Sequence, residues 1–175
     1  SNALFAASDS TGKGFGAETD LRIHFGKRIV RIPSSHRTGE LGSPLWKRLL
    51  LQVDDRISVD PATVMARDAF TRDVRKFLAG LDPSDRNVLV YIHGFNTGFD
   101  DAARRAAQLG FDLKVPGITV LYSWPSRGSL SGYTADLSAI EASEAQIADF
   151  LIAVSALAVH GKVHIIAHSM GNRGL

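Results

Sequence analysis

Val163-His-Ile-Ile-Ala-His-Ser-Met-Gly-Asn172 carries the strongest fold signal in the chain. Four residues, mostly β-branched, run into Ala167-His-Ser-Met-Gly171, with a small residue two positions to either side of Ser169. An apolar run that stops at small residues predicts a strand ending in a sharp turn, with the serine at the tip of that turn. A serine so placed takes a strained backbone conformation, and bulk two residues away would collide across the turn. Glycine is usual at both flanks; here the first flank is Ala167.

The partner of this stretch lies upstream, in Val88-Leu-Val-Tyr-Ile-His-Gly-Phe-Asn96. From Val88 to Gly94 there is no formally charged residue, and the run is short, β-branched and aromatic, so it predicts a fully buried strand. It breaks at His93-Gly94. In hydrolases with a serine at a strand-to-helix turn, the loop after an earlier strand supplies one backbone N–H of the oxyanion hole, and the residue after the serine supplies the other. That order assigns Ser169 as nucleophile and the N–H groups of Phe95 and Met170 as oxyanion donors. His93, Gly94, His168 and Gly171 stand around them as supporting residues.

Three blocks carry a resemblance to a known family: His93-Gly-Phe-Asn-Thr-Gly-Phe-Asp-Asp-Ala-Ala-Arg-Arg105, then Tyr122-Ser-Trp-Pro-Ser126 with Gly128-Ser-Leu130 and Gly132-Tyr133, then Ile166-Ala-His-Ser-Met-Gly-Asn-Arg173. On these blocks the chain resembles an α/β-hydrolase, and more closely an uncharacterised bacterial family of that fold, the domain of unknown function 900. The resemblance implies a serine hydrolase of the esterase or lipase type acting on a small-molecule or lipid ester. It also implies a catalytic acid and histidine beyond the serine turn. Because the sequence stops six residues after Ser169, the expectation is a chain truncated after its nucleophile strand, inactive by itself, with acid and base in sequence past Leu175.

Composition sets the remaining bounds. With 45% hydrophobic and 22% charged residues over 175 positions, the chain suits one globular domain with a sizeable core. A net charge of +2, with Lys and Arg scattered among Asp and Glu, argues against nucleic acid as a partner. There is no cysteine, so no disulfide forms, and no apolar run approaches the roughly 20 residues of a membrane helix. Ser1-Asn2-Ala3 is read as a scar of tag cleavage, which leaves the native N-terminus unseen and the location open between the bacterial cytoplasm and the cell envelope. Residues 1–20, rich in Ser, Gly and Thr, are expected to form that scar and a flexible arm. Residues 21–175 are expected to be the N-terminal part of an α/β-hydrolase domain. Gly12-Lys-Gly-Phe-Gly16 lacks the spacing and the preceding strand of a phosphate loop and is read as a flexible loop.

Arg28 to Ile32 alternates as a half-exposed strand ending at Pro33, and Leu49 to Val53 is a second candidate, with a Gly- and Pro-containing loop between them. Asp60-Pro61 is read as the start of a helix, with Asp60 as N-cap. Ala66, Phe70, Val74, Phe77 and Leu78 form its inner face and Gly80 its end. Asp100 to Leu113 predicts a helix with Ala102, Ala103, Ala106, Leu109 and Leu113 inward, Ile118 to Trp124 a buried strand, and Thr134 to Val159 the longest helix. Strands alternating with helices mean a mostly parallel sheet with helices on both faces, and ligands at the carboxyl ends of its strands.

Trp124, Arg127 and Tyr133 are candidates for the substrate cleft, with the core as the alternative for Trp124. His93 is expected to brace the oxyanion loop rather than move protons, His168 to be too close in sequence to serve as base, and His164 to be a satisfied core histidine. No histidine pair has metal-ligand spacing beside a carboxylate, and no cofactor motif is present, so neither metal nor cofactor is expected. Two functions of different class remain. One is hydrolysis of carboxylic esters through an acyl-enzyme on Ser169; the other is a non-catalytic hydrolase-like module that uses the same cleft for binding. The uncharged Val163–His168 stretch, expected as an open sheet edge, further predicts self-association.

Overall fold

The computed structural model describes residues 2–10, 19–41, 56–127 and 129–175. The strands are β1 (Asn2–Ser10), β2 (Thr19–Arg31), β3 (Ser58–Val59), β4 (Thr63–Met65), β5 (Asn87–Ile92), β6 (Gly117–Ser123) and β7 (Val163–Ala167). The α-helices are α1 (Arg67–Ala79), α2 (Phe99–Asp112), α3 (Tyr133–Ala142) and α4 (Glu144–Leu157). The strands form one seven-stranded sheet in the order β3-β2-β1-β6-β5-β7, with β4 also on β2. The run β1, β6, β5, β7 is parallel throughout, and β2 joins it antiparallel. This is the predicted α/β architecture with mostly parallel strands.

Burial follows the pleat. Phe5, Ala7, Val88, Val90, Ile92, Val120 and Tyr122 share one core with Phe70, Val74 and Leu78 of α1, Ile140 of α3, and Ile147, Phe150 and Val154 of α4. Leu4, Ala6, Tyr91 and Leu121 point the other way, into a second core with Ala102, Ala103 and Ala106 of α2. Each strand thus feeds two cores by its period of two, and helices cover both faces. Every residue of β5 is buried, as expected of a strand whose apolar run does not alternate.

Several expectations are corrected. The flexible arm of residues 1–20 is wrong for Asn2–Ser10, which form a strand inside the sheet between β2 and β6. The Ser- and Gly-rich average of that region concealed the short apolar run Leu4-Phe-Ala-Ala7, and even Ser8, Asp9 and Ser10 are buried there. Gly12–Gly16 and the candidate strand Leu49–Val53 lie outside the described residues.

The helix expected at Asp60-Pro61 begins instead at Arg67, with Ala66 as N-cap. Thr63, Val64 and Met65 pair as a strand with Lys27, Gly26 and Phe25, because β-branched residues fit a ladder better than a helix. Asp60 is held elsewhere: its carbonyl accepts the Arg28 Nε–H at 2.6 Å, and its carboxylate pairs with Arg31. Phe77, expected inward, is largely exposed, as is Leu113 at the end of α2.

The long helix from Thr134 to Val159 is two helices, broken at Ser143, whose Oγ–H donates back to Ala139 O at 2.9 Å. A serine bonding back to the preceding turn bends a helix. Finally, His164 is exposed on β7 rather than a core residue.

Candidate active site

Parallel strands end on one edge, and there the chain brings together three loops. Beyond Ile92 of β5 runs His93-Gly-Phe-Asn96; beyond Ser123 of β6 runs Trp124-Pro-Ser-Arg127; beyond Ala167 of β7 comes His168-Ser169. β5 and β7 pair in register up to Ile92 and Ala167, and the His168 N–H donates to Ile92 O at 3.0 Å, so the ladder runs to the residue before Ser169. There the backbone breaks sharply. Ser169 has φ +51° and opens a short 3₁₀ turn over Ser169–Gly174. A positive φ in a non-glycine residue is uncommon and costs of order 1–3 kcal/mol, so it persists only where the surroundings impose it.

The surroundings that impose it are the two glycines singled out in the sequence. A Cβ on Gly94 would lie 2.6 Å from His168 Nδ1, 2.9 Å from His168 O and 3.0 Å from Ser169 Cβ. A Cβ on Gly171 would lie 2.5 Å from His93 O and 3.0 Å from Ile92 O. Gly94 therefore seats the serine turn, and Gly171 seats the same turn on the end of β5. The two motifs, far apart in sequence, form one tightly packed junction.

Phe95 lies past the end of β5 and outside its ladder. Met170 precedes the first bond of the 3₁₀ turn, Gly171 N–H to His168 O at 2.9 Å, so its N–H is left over by that turn. Among the described residues neither amide has a backbone partner. The next residue, Asn96, also has positive φ (+56°), and Thr97 Oγ1–H donates to Phe95 O at 3.1 Å, closing the turn that carries Phe95.

His93 is fully buried and stacks on Trp124 with ring centroids 4.9 Å apart. Its Nδ1 lies 3.0 Å from Gly94 O and its Nε2 3.0 Å from Trp124 O and 3.3 Å from Ser123 Oγ. In return Trp124 Nε1–H donates to His93 O at 2.7 Å. Burial drives the His93 pKa down to about 4, against the raising effect of the two carbonyls. The ring is neutral at pH 7 and enclosed, so one nitrogen donates to a facing carbonyl while the stacking on Trp124 holds the plane; it braces the loop. Trp124, 1% exposed, belongs to that brace and lines no cleft, which corrects its candidate role. The flat indole has just the shape to stack on the imidazole, and the core takes it for that reason.

Arg127 and Tyr133 do reach the surface. The Tyr133 ring meets Phe95 edge-on at 5.2 Å and is 54% exposed, and Leu130, three residues earlier, is 78% exposed. His168 is exposed next to Ser169. The other histidines are occupied or remote: His24 pairs with Asp20 at 2.9 Å, His36 with Asp112 at 2.7 Å, and His164 lies mid-strand on β7. Among the described residues no histidine is hydrogen-bonded to the Ser169 hydroxyl, and no group of three or more His, Asp or Glu could hold a metal ion.

One participant had no signal in the sequence. Asp136, in the first turn of α3, is completely buried. It accepts the Ser126 Oγ–H at 2.5 Å and the Arg127 N–H at 2.8 Å, while Ser126 Oγ accepts the Thr97 N–H at 3.3 Å. An aspartate in a first helical turn ordinarily does no more than favour the helix dipole, so only the fold reveals that this one faces inward.

Comparison with known proteins agrees with the fold. Neither the curated proteins nor the solved structures returned a match. A family model described as an alpha/beta hydrolase of unknown function (DUF900) matches residues 66–174, which takes in β5, β6, β7 and the whole of the Ser169 junction. The chain belongs to that α/β-hydrolase family.

Proposed function

We propose that this chain is a serine hydrolase acting on carboxylic esters through an acyl-enzyme on Ser169. The observation that carries the reading is the junction itself: a serine at φ +51° above a parallel strand, packed on Gly94 and Gly171, where an added Cβ would lie 2.6 Å and 2.5 Å from its nearest neighbour. A structural turn would not need a strained, exposed serine at the strand end of an α/β-hydrolase sheet. Ser169 Oγ attacks the ester carbonyl carbon and loses its proton to a base. The carbonyl oxygen, now anionic, takes the N–H groups of Phe95 and Met170. The C–O bond to the alcohol then breaks, leaving an acyl ester on Ser169 that water hydrolyses. Tyr133, exposed and edge-on to Phe95, offers an apolar surface to a small-molecule or lipid ester.

No described histidine is bonded to Ser169, so the chain as it stands should acylate slowly and turn over even more slowly. The test is p-nitrophenyl acetate at excess. One equivalent of p-nitrophenol, released slowly and absent from Ser169→Ala, is the expected result. Release that Ser169→Ala leaves unchanged would overturn the reading and favour a module that only binds.

A further inference from the structure

We infer that Asp136 is a positioning residue for the oxyanion loop, acting through Ser126 rather than on the substrate; this rests on the reading of Ser169 just given. The loop that carries Phe95 leaves β5 and must hold one N–H in a fixed place while its own backbone is irregular. It is fastened at its base by the His93–Trp124 brace. Its far end is fastened at Thr97, whose N–H donates to Ser126 Oγ. Ser126 Oγ can accept that bond in a fixed direction because its own proton is committed to Asp136 at 2.5 Å. The other Asp136 oxygen takes the Arg127 N–H, so the carboxylate fixes the backbone on which Ser126 stands.

Phe95 thus lies between two anchor points, and Asp136 orders one of them. A buried carboxylate is costly to desolvate and is kept where its bonds are well made. Both of these bonds lead to the loop beside Phe95, and α3 itself presses Tyr133 against the Phe95 ring. Removing an oxyanion donor outright costs about 10²- to 10³-fold in rate. Loosening one should cost about tenfold, in the chemical step and not in ligand affinity.

The experiment uses the whole 175-residue chain and an alkyl fluorophosphonate that phosphonylates an active serine with loss of fluoride. Intact mass gives the rate of adduct formation against reagent concentration, separating the maximal rate from the half-saturating concentration. Asp136→Ala and Ser126→Ala are each expected to lower the maximal rate about tenfold with the half-saturating concentration within about twofold. The double variant should be no slower than the slower single one, since both break one chain of contacts. Asp136→Asn can keep one acceptor for Arg127 and donate to Ser126 Oγ, and should recover most of the rate; it also serves if the alanine variant fails to fold.

Amide hydrogen exchange supplies a readout independent of any reactivity. Thr97 N–H should exchange about tenfold faster in Ser126→Ala and Asp136→Ala, while Val90 and Leu121 in the sheet keep their protection. Ser169 labelling at an unchanged rate in folded variants would overturn the inference, as would unchanged Thr97 exchange. An unlabelled Ser169 in the native chain would instead sink the nucleophile reading, with Thr97 exchange still deciding the clamp.

Discussion

Gly171→Ala puts the junction between β5 and the serine turn under direct test. The added methyl would sit 2.5 Å from His93 O and 3.0 Å from Ile92 O. Ordinary contact begins near 3.4 Å, so the closest approach falls short by about 0.9 Å. Neither carbonyl can swing away, because each belongs to the backbone at the end of a completely buried strand, and Ile92 O also holds the His168 N–H. The turn must therefore rise by most of that shortfall. Overpacking of this kind costs about 1–3 kcal/mol; taking about 2 kcal/mol, the melting temperature should fall by about 4–8 °C for a chain of this size. Misplacing a reacting group by about 1 Å costs about 10²-fold in rate, so phosphonylation of Ser169 should slow far more than stability falls. Gly98→Ala is the matched control: nothing lies within 4 Å of the added methyl there, and it should change stability by less than about 1 kcal/mol. Circular-dichroism melts with labelling rates by intact mass read both quantities. A Gly171→Ala variant that melts and labels like the native chain would refute the packing described for the junction.

Acid should weaken the fold through His93. Its folded pKa, about 4, lies below the unfolded value near 6.5, so its contribution is whole above pH 6.5 and is lost as pH falls toward 4, by about 3 kcal/mol in all; chemical denaturation at pH 7 and pH 4 should show the loss, and His93→Asn should flatten the slope. Asp9 runs the other way. Burial raises its pKa against the opposing contacts of Ser143 and Tyr122, so the charged form costs stability as pH rises above the usual carboxylate range. Asp9→Asn should therefore raise the melting temperature at pH 7, with the gain fading as pH is lowered; a loss at pH 7 would contradict this. β7 pairs on one side only, with β5, among the described residues, and it carries no charged residue. Self-association through this edge should give light-scattering masses above 18.9 kDa, which Ile165→Lys should reduce; a native monomer would refute it.

How much of this was legible in the sequence depended on how local the signal was. The β5 and β7 strands and the Ser169 turn could be read because apolar runs ended at glycines and small residues, a pattern that does not need distant partners. The role of Gly94 as a seat for His168 and Ser169 was foreseeable only once both motifs were taken together. Leu4 to Ser10 went unread because four apolar residues and three buried polar ones become a central strand only when β2 and β6 flank them. Asp60-Pro61 carried a good helix-start signature, yet the Arg28 and Arg31 contacts and the pairing of Thr63–Met65 with β2 overrode it. Asp136 was invisible for a further reason: a first-turn aspartate has the same local sequence whether it faces water or, as here, closes a buried network.

The central claim is that Ser169 is a nucleophile set up by its backbone. Exhaustive treatment with the alkyl fluorophosphonate, followed by peptide mapping, tests it most directly. One adduct per chain is expected, on Ser169 and on no other of the chain's serines, and none on Ser169→Ala. A chain that stays unmodified, or one modified at another residue while Ser169 is untouched, would contradict it.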